Sequence, residues 1–125
     1  MEMARRYERH LQLVADPEIA RADGFLRTAG TSAGRHERIL EELHALKEEL
    51  DGGVSCFEYI KSDGTLRIAF GTRRPSDIRR FGGSLRDPHR SDESGSLFPY
   101  FDIDRRQWRC FRVDRFVRHN KDFFC

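Results

Sequence analysis

Phe98-Pro99-Tyr100-Phe101-Asp102-Ile103-Asp104-Arg105-Arg106-Gln107-Trp108-Arg109-Cys110-Phe111-Arg112-Val113-Asp114-Arg115-Phe116-Val117 is the stretch whose reading decides the fold. Apolar and aromatic residues flank a short polar turn, Asp104-Arg105-Arg106, so the stretch reads as a hairpin. After the turn the pattern alternates. Trp108, Cys110 and Arg112 fall on one face, Arg109, Phe111 and Val113 on the other. An apolar strand face must be buried against a second layer, so the rest of the chain has to supply one. Asp114-Arg115-Phe116-Val117 then reads as a tight turn into a short closing strand.

A second strand pair lies upstream. Residues 54–60 and 65–72 are strand-like, and Lys61-Ser62-Asp63-Gly64 between them holds an Asp-Gly, a strong short-range hairpin signal. Phe57 and Tyr59 share a face, as do Leu66, Ile68 and Phe70. Glu58 and Arg67 occupy the opposite, polar faces, which predicts a half-buried sheet. Gly71 marks a bend or bulge where the sheet curls. Residues 73–97 join the two pairs as a long loop, a length that is usually functional or without fixed structure. Within it Ser76-Asp77 can cap one short helical turn with Ile78 and Phe81 tucked inward, and Arg86, His89 and Arg90 continue its basic character.

The helical part comes first in the chain. Residues 35–50 form the clearest helix, with Ile39, Leu43, Leu46 and Leu50 as a narrow apolar stripe and Glu37, Glu41, Glu42, Glu48 and Glu49 outside it. Asp51-Gly52-Gly53 ends it, glycine being free to take a left-handed cap. Two heptads are too few for a sustained coiled-coil seam, so packing across the end or side of a sheet fits better. Residues 2–15 are also helical in pattern, with Met3, Tyr7, Leu11 and Val14 on one face, until Asp16-Pro17 stops or kinks the helix. Ile19, Phe25 and Leu26 follow in a mixed stretch that runs into the breaker residues 29–34. Residues 1–33 therefore read as a helical arm with a flexible linker. Residues 34–125 read as a helix plus a small barrel with a long basic loop and a short C-terminal tail. The predicted class is α+β, a small antiparallel SH3/Sm-like β-barrel preceded by one or two helices, since closure removes exposed strand edges.

Bulk properties narrow the function classes. A chain of 125 residues is one small domain, able to fold without disulfides. Its net charge of +2 hides an asymmetry. Residues 1–60 hold 8 Lys+Arg against 12 Asp+Glu, and residues 61–125 hold 15 against 9. A basic back half favours phosphate or an acidic partner, although a solvated surface has the same composition. Cys56, Cys110 and Cys125 form no C-x-x-C pair, which argues against a zinc cage. No apolar run approaches the ~20 residues that span a bilayer, and no apolar leader segment is visible at the N-terminus. The expected setting is reduced and cytoplasmic, without contact to a membrane. His36 and His44 are eight residues apart, not the i, i+4 of a metal pair. Neither Cys56 nor Cys110 has a spacing to His89 that asks for a nucleophile pair, and no phosphate-cradling Gly-x-x-x-x-Gly-Lys is present. The expectation is a protein without catalytic residues, metal or cofactor.

Two binding functions fit these residues. Guanidinium groups pair with phosphates and rings stack on unpaired bases. Arg67, Tyr100, Trp108, Arg109 and Arg112 can supply such a face on the barrel, with Arg73, Arg74, Arg79 and Arg80 tracking a phosphate backbone. The same residues also have plain structural uses. Trp108 can fill the barrel, and Arg112 and Arg115 can pair with Asp102, Asp104 or Asp114. The second function is a protein–protein module, for example a phage or mobile-element protein that inhibits or adapts a host machine. Its contacts would be the acidic helix, Met3, Tyr7, Leu11 and Val14 of the arm, and Phe123 and Phe124 of the tail. The arm reads equally as a frayed terminus or a helix lying on the barrel, and a homodimer through it fits either function.

Lys61-Ser62-Asp63-Gly64-Thr65-Leu66-Arg67 with Gly71-Thr72, then Tyr100-Phe101-Asp102-Ile103 with Trp108-Arg109-Cys110-Phe111-Arg112-Val113-Asp114-Arg115, resembles a family of small WYL-like SH3 β-barrel proteins of bacteria and phages. The likeness covers about residues 40–117, and its second motif is the more specific. It also resembles the end of the larger WYL domain. There an arginine-bearing strand of an Sm-like barrel contributes to a ligand or nucleic-acid pocket in transcription factors and defence-system regulators. The resemblance implies Arg109, Arg112 and Arg115 as ligand contacts. The Trp-Tyr-Leu triplet itself does not occur in this chain.

Overall fold

The computed structural model describes residues 2–86 and 94–120. The expectations for His89, Arg90, Phe123 and Phe124 lie outside these residues. Three helices, α1 (Glu2–Val14), α2 (Pro17–Thr28) and α3 (Ala33–Gly52), precede strands β1 (Ser55–Ile60) and β2 (Leu66–Thr72). A short helix α4 (Pro75–Arg80) follows, then β3 (Leu97–Asp102), β4 (Gln107–Arg112), a 3-10 turn (Val113–Arg115) and β5 (Phe116–His119). The five strands form one antiparallel sheet in the order β4-β3-β2-β1-β5. The predicted hairpin is β3–β4, and the predicted closing strand is β5, which returns to pair with β1. β2 pairs with β1 along its length but with β3 only at Gly71 and Thr72, so the sheet bends there. β4 and β5 are not ladder neighbours. The gap between them is filled by the stacked rings of Phe111 and Phe116, 5.2 Å between centroids.

The interior is aromatic. Phe57, Tyr59, Phe98, Tyr100, Phe111 and Phe116 are buried together and in ring contact. This crowding corrects the expected orientation of β2. Phe57 pairs with Ala69 and Tyr59 with Arg67, so Arg67, Ala69 and Gly71 point inward, whereas Leu66, Ile68 and Phe70 lie on the outer face. Leu66 and Ile68 are 53% and 50% exposed. Where β2 meets Phe57 and Tyr100 it carries the small residues Ala69 and Gly71. A Cβ at Gly71 would sit 2.8 Å from the Tyr100 ring and 3.1 Å from that of Phe57. Glu58 does lie on the outer side, where Arg118 covers its carboxylate at 2.5 Å.

α3 closes the core from the helical side. Ile39, Leu43, Leu46 and Leu50 are buried as the stripe predicts, and Leu40 joins them because α2 covers a second face. The helix runs on through Gly52. Gly53 ends it at φ 154 and ψ −153, a glycine-only conformation rather than the left-handed cap expected. The mixed stretch of the sequence reading is the helix α2. Asp16 caps it by accepting from the Glu18 and Ile19 N–H groups, Pro17 occupies its first turn, and Ile19, Ala22 and Leu26 are buried against α3. Burying Ile19 and Leu26 contributes about 3–6 kcal/mol, a large part of a stability of about 5–15 kcal/mol. Residues 17–28 are thus part of the core and not of a linker. α1 differs: residues 3–9 are all exposed, and Leu13 is its buried anchor.

Candidate ligand-binding surface

Asp102 organises the far end of the barrel. It is the last residue of β3, it points inward, and its side chain is 0% exposed. Its Oδ2 accepts from the Arg67 guanidinium at 2.5 Å and lies 3.6 Å from Arg109 Nε. Its Oδ1 accepts from the backbone N–H of Arg105 at 3.0 Å, which fixes the β3–β4 turn. Two guanidinium groups, those of Arg67 and Arg109, therefore face one buried carboxylate, and the turn beside it carries the exposed Arg105 and Arg106. Arg106 holds φ 52, the left-handed region where a non-glycine residue costs about 1–2 kcal/mol.

The cations here are not fully spent. Among the described residues, the Nε–H groups of Arg67 and Arg109 are the two buried side-chain polar atoms without a hydrogen-bond partner. Burial works against the Arg67 charge, but hydrogen bonds to Tyr100 and Asp102 outweigh it and hold its pKa above the usual value. Tyr100 is 0% exposed, and its hydroxyl shares a 2.6 Å hydrogen bond with that of Tyr59. Burial first, and then Tyr59, push the Tyr100 phenol upward, so it stays neutral.

The other sequence-predicted residues are scattered. Arg73 makes two 2.7 Å bonds to Glu18, donates to the Pro99 carbonyl, and lies 4.1 Å from the centroid of the Phe98 ring. It bolts α2 to β3. Arg112 chelates Asp114 at 3.0 and 2.8 Å on the face away from Arg109. Arg74 bonds Ser76 and faces Asp77 at 3.5 Å. Arg79 and Arg80 are exposed at the end of α4, where cations suit the helix dipole, and Arg80 lies over the Phe81 ring. Arg115 is half-buried in the 3-10 turn. Trp108 does not fill the barrel. Its indole N–H donates to the Ser84 carbonyl at 2.8 Å, and its ring stands edge-on to Phe101 beneath the chain that leaves α4. Sequence reasoning missed Asp102 as the hub and the exposed Arg105 and Arg106 of the turn next to it. The signal was available, since an inward-pointing aspartate two residues from a buried tyrosine on one strand needs cationic neighbours.

Met3, Tyr7 and Leu11 form an exposed apolar stripe on α1, whereas Val14 is half-buried. Polar contacts on the other side, His10 to Glu37 at 2.9 Å and Arg9 to Glu41 at 3.2 Å, hold α1 against α3. Among the described residues, no helix is long and apolar enough to cross a membrane.

The model of the WYL_2 family, described as an Sm-like SH3 beta-barrel fold, matches residues 43–117. That span runs from within α3 into β5 and contains every barrel arginine discussed above. The chain is 37% identical over 76 residues to a protein of Enterobacteria phage T4, the uncharacterized 11.5 kDa protein in the Gp31-cd intergenic region, covering 60% of this chain and 74% of that one. No solved structure matches it.

Proposed function

The chain belongs to the WYL_2 family of Sm-like SH3 β-barrels, and on that footing we propose that it is a non-enzymatic binding module for nucleic acid or a nucleotide-like anionic ligand. The binding surface is the barrel end built by Arg67, Arg105, Arg106 and Arg109. One observation carries this reading: the buried Asp102 faces the guanidinium groups of Arg67 and Arg109, whose Nε–H groups have no hydrogen-bond partner, and the adjoining turn adds the exposed Arg105 and Arg106 beside the exposed Asp104. Beyond the Arg67–Asp102 pair, three cations remain to meet phosphates. Neutralising three phosphates of a duplex gives a log–log salt slope of about −2.7, so affinity falls about 40-fold between 50 and 200 mM salt. Replacing Arg105 and Arg106 with alanine should bring the slope to about −0.9. A short duplex followed by fluorescence anisotropy tests this, and an unchanged slope in the double variant would overturn the assignment.

A second reading has its own observation. The stripe Met3-Tyr7-Leu11 leaves Met3 84% and Tyr7 65% exposed on a helix whose first turns touch little of the body. Such a helix suits a protein partner or a second copy, in keeping with a protein-adaptor role. Light scattering over a concentration series tests self-association directly.

A further inference from the structure

We infer that the barrel-end site, resting on the reading above, recognises the phosphate charge of its ligand and not its bases. The ligand class is a polyphosphate backbone of any base composition, paired or unpaired. Reading single strands requires ring faces open to the solvent, on which bases stack. Among the described residues the barrel offers none beside its arginines. Tyr59 and Tyr100 are buried with their hydroxyls bonded to each other. Phe101 is buried on the outer side of β3, where Gly83 lies close against its ring. Trp108 is half-buried, its N–H spent on Ser84 and its ring set against Phe101. Phe81 has the Arg80 guanidinium over it at 5.7 Å. Among the described residues the one strongly exposed aromatic side chain is Tyr7, on α1 rather than on the barrel.

The donors, by contrast, are suited to phosphate oxygens. Arg105 and Arg106 stand out on the turn, and Arg67 and Arg109 are fixed by Asp102 at the barrel end. Fixed guanidinium groups favour a charge that repeats along a chain, because each oxygen found releases a counterion and no side chain has to be ordered anew.

The test compares four probes of matched charge on the full chain at low salt: a short duplex, oligo(dT), an abasic oligonucleotide of the same length, and inorganic polyphosphate. The expected result is that the abasic strand binds within about twofold of oligo(dT), that polyphosphate competes with the duplex, and that the Arg105→Ala/Arg106→Ala variant weakens all four alike. One stacked base adds about fivefold or more to affinity, so oligo(dT) binding tighter than the abasic strand by that factor overturns the inference while leaving the anion site standing. Failure of all four probes to bind overturns the anion site itself.

Discussion

Replacing Asp102 with asparagine removes the buried negative charge at the barrel end without changing its shape. Arg67 and Arg109 then remain in place without their carboxylate, and the Arg67 side chain is only 14% exposed. Removing one partner of a buried pair costs about 3–5 kcal/mol. Arg109, 33% exposed and 3.6 Å away, recovers part of its hydration, which places the loss near the low end, about 3 kcal/mol. For a domain of this size that lowers Tm by about 12 °C. Asp114→Asn is the matched control. It breaks the Arg112 pair, whose guanidinium is 45% exposed, and should cost less than about 1 kcal/mol. Urea and thermal unfolding followed by circular dichroism measure both. If Asp102→Asn loses no more than Asp114→Asn, Asp102 is not the hub of a buried charge cluster, and the argument for surplus cations at that end collapses.

Further outcomes follow from particular contacts. Burial opposes ionisation of Glu18, but Arg73 and Lys47 outweigh it and hold its carboxyl below the usual range. A depressed folded-state value stabilises the protein fully above the unfolded Glu value of about 4.3, and this stabilisation is lost as pH falls through the lower folded value. Glu18→Gln should therefore destabilise at neutral pH and flatten the acid limb of a stability–pH curve; an unchanged limb contradicts the bridge. Gly83→Ala would place a methyl 2.3 Å from the buried Phe101 ring and should cost about 1–3 kcal/mol in urea unfolding, with no change at all as the contrary result. Arg106→Gly relieves the left-handed strain, so stability should stay level or rise by up to about 1 kcal/mol while phosphate binding weakens. A clear loss of stability would show that Arg106 serves the fold. Changing Met3, Tyr7 and Leu11 to serine should leave unfolding within about 0.5 kcal/mol in the monomer, because those side chains are already exposed. A larger loss would mean that the stripe is packed.

The sequence was legible where its periods were clean. Alternation across Trp108–Val113, the Asp-Gly turn and the Ile39–Leu50 stripe place β4, the β1–β2 hairpin and α3 where the structure has them. α2 was obscured because its buried residues include Ala22, a weak hydrophobic signal, and because Asp16-Pro17 reads as a stop although it is also a start. The face of β2 was misread because apolar Leu66, Ile68 and Phe70 look like core, whereas the room inside is taken by the rings and leaves space for Ala69 and Gly71. Arginine density drew attention to the back half but could not say which guanidinium groups are spoken for. Arg73 and Glu18 are 55 residues apart in sequence, so only the fold brings them together. Arg112 and Asp114 were close enough to be read as a pair, and they are one.

The most direct measurement is an amide and arginine-side-chain NMR titration of the full chain with inorganic polyphosphate. The account expects shifts in Arg105, Arg106 and Gln107 and in the Nε–H signals of Arg67 and Arg109, with the Arg73 Nε–H, tied to the Pro99 carbonyl, unmoved. Shifts confined to α1 or α4, or none at saturating ligand, would contradict a phosphate site at the end of the barrel.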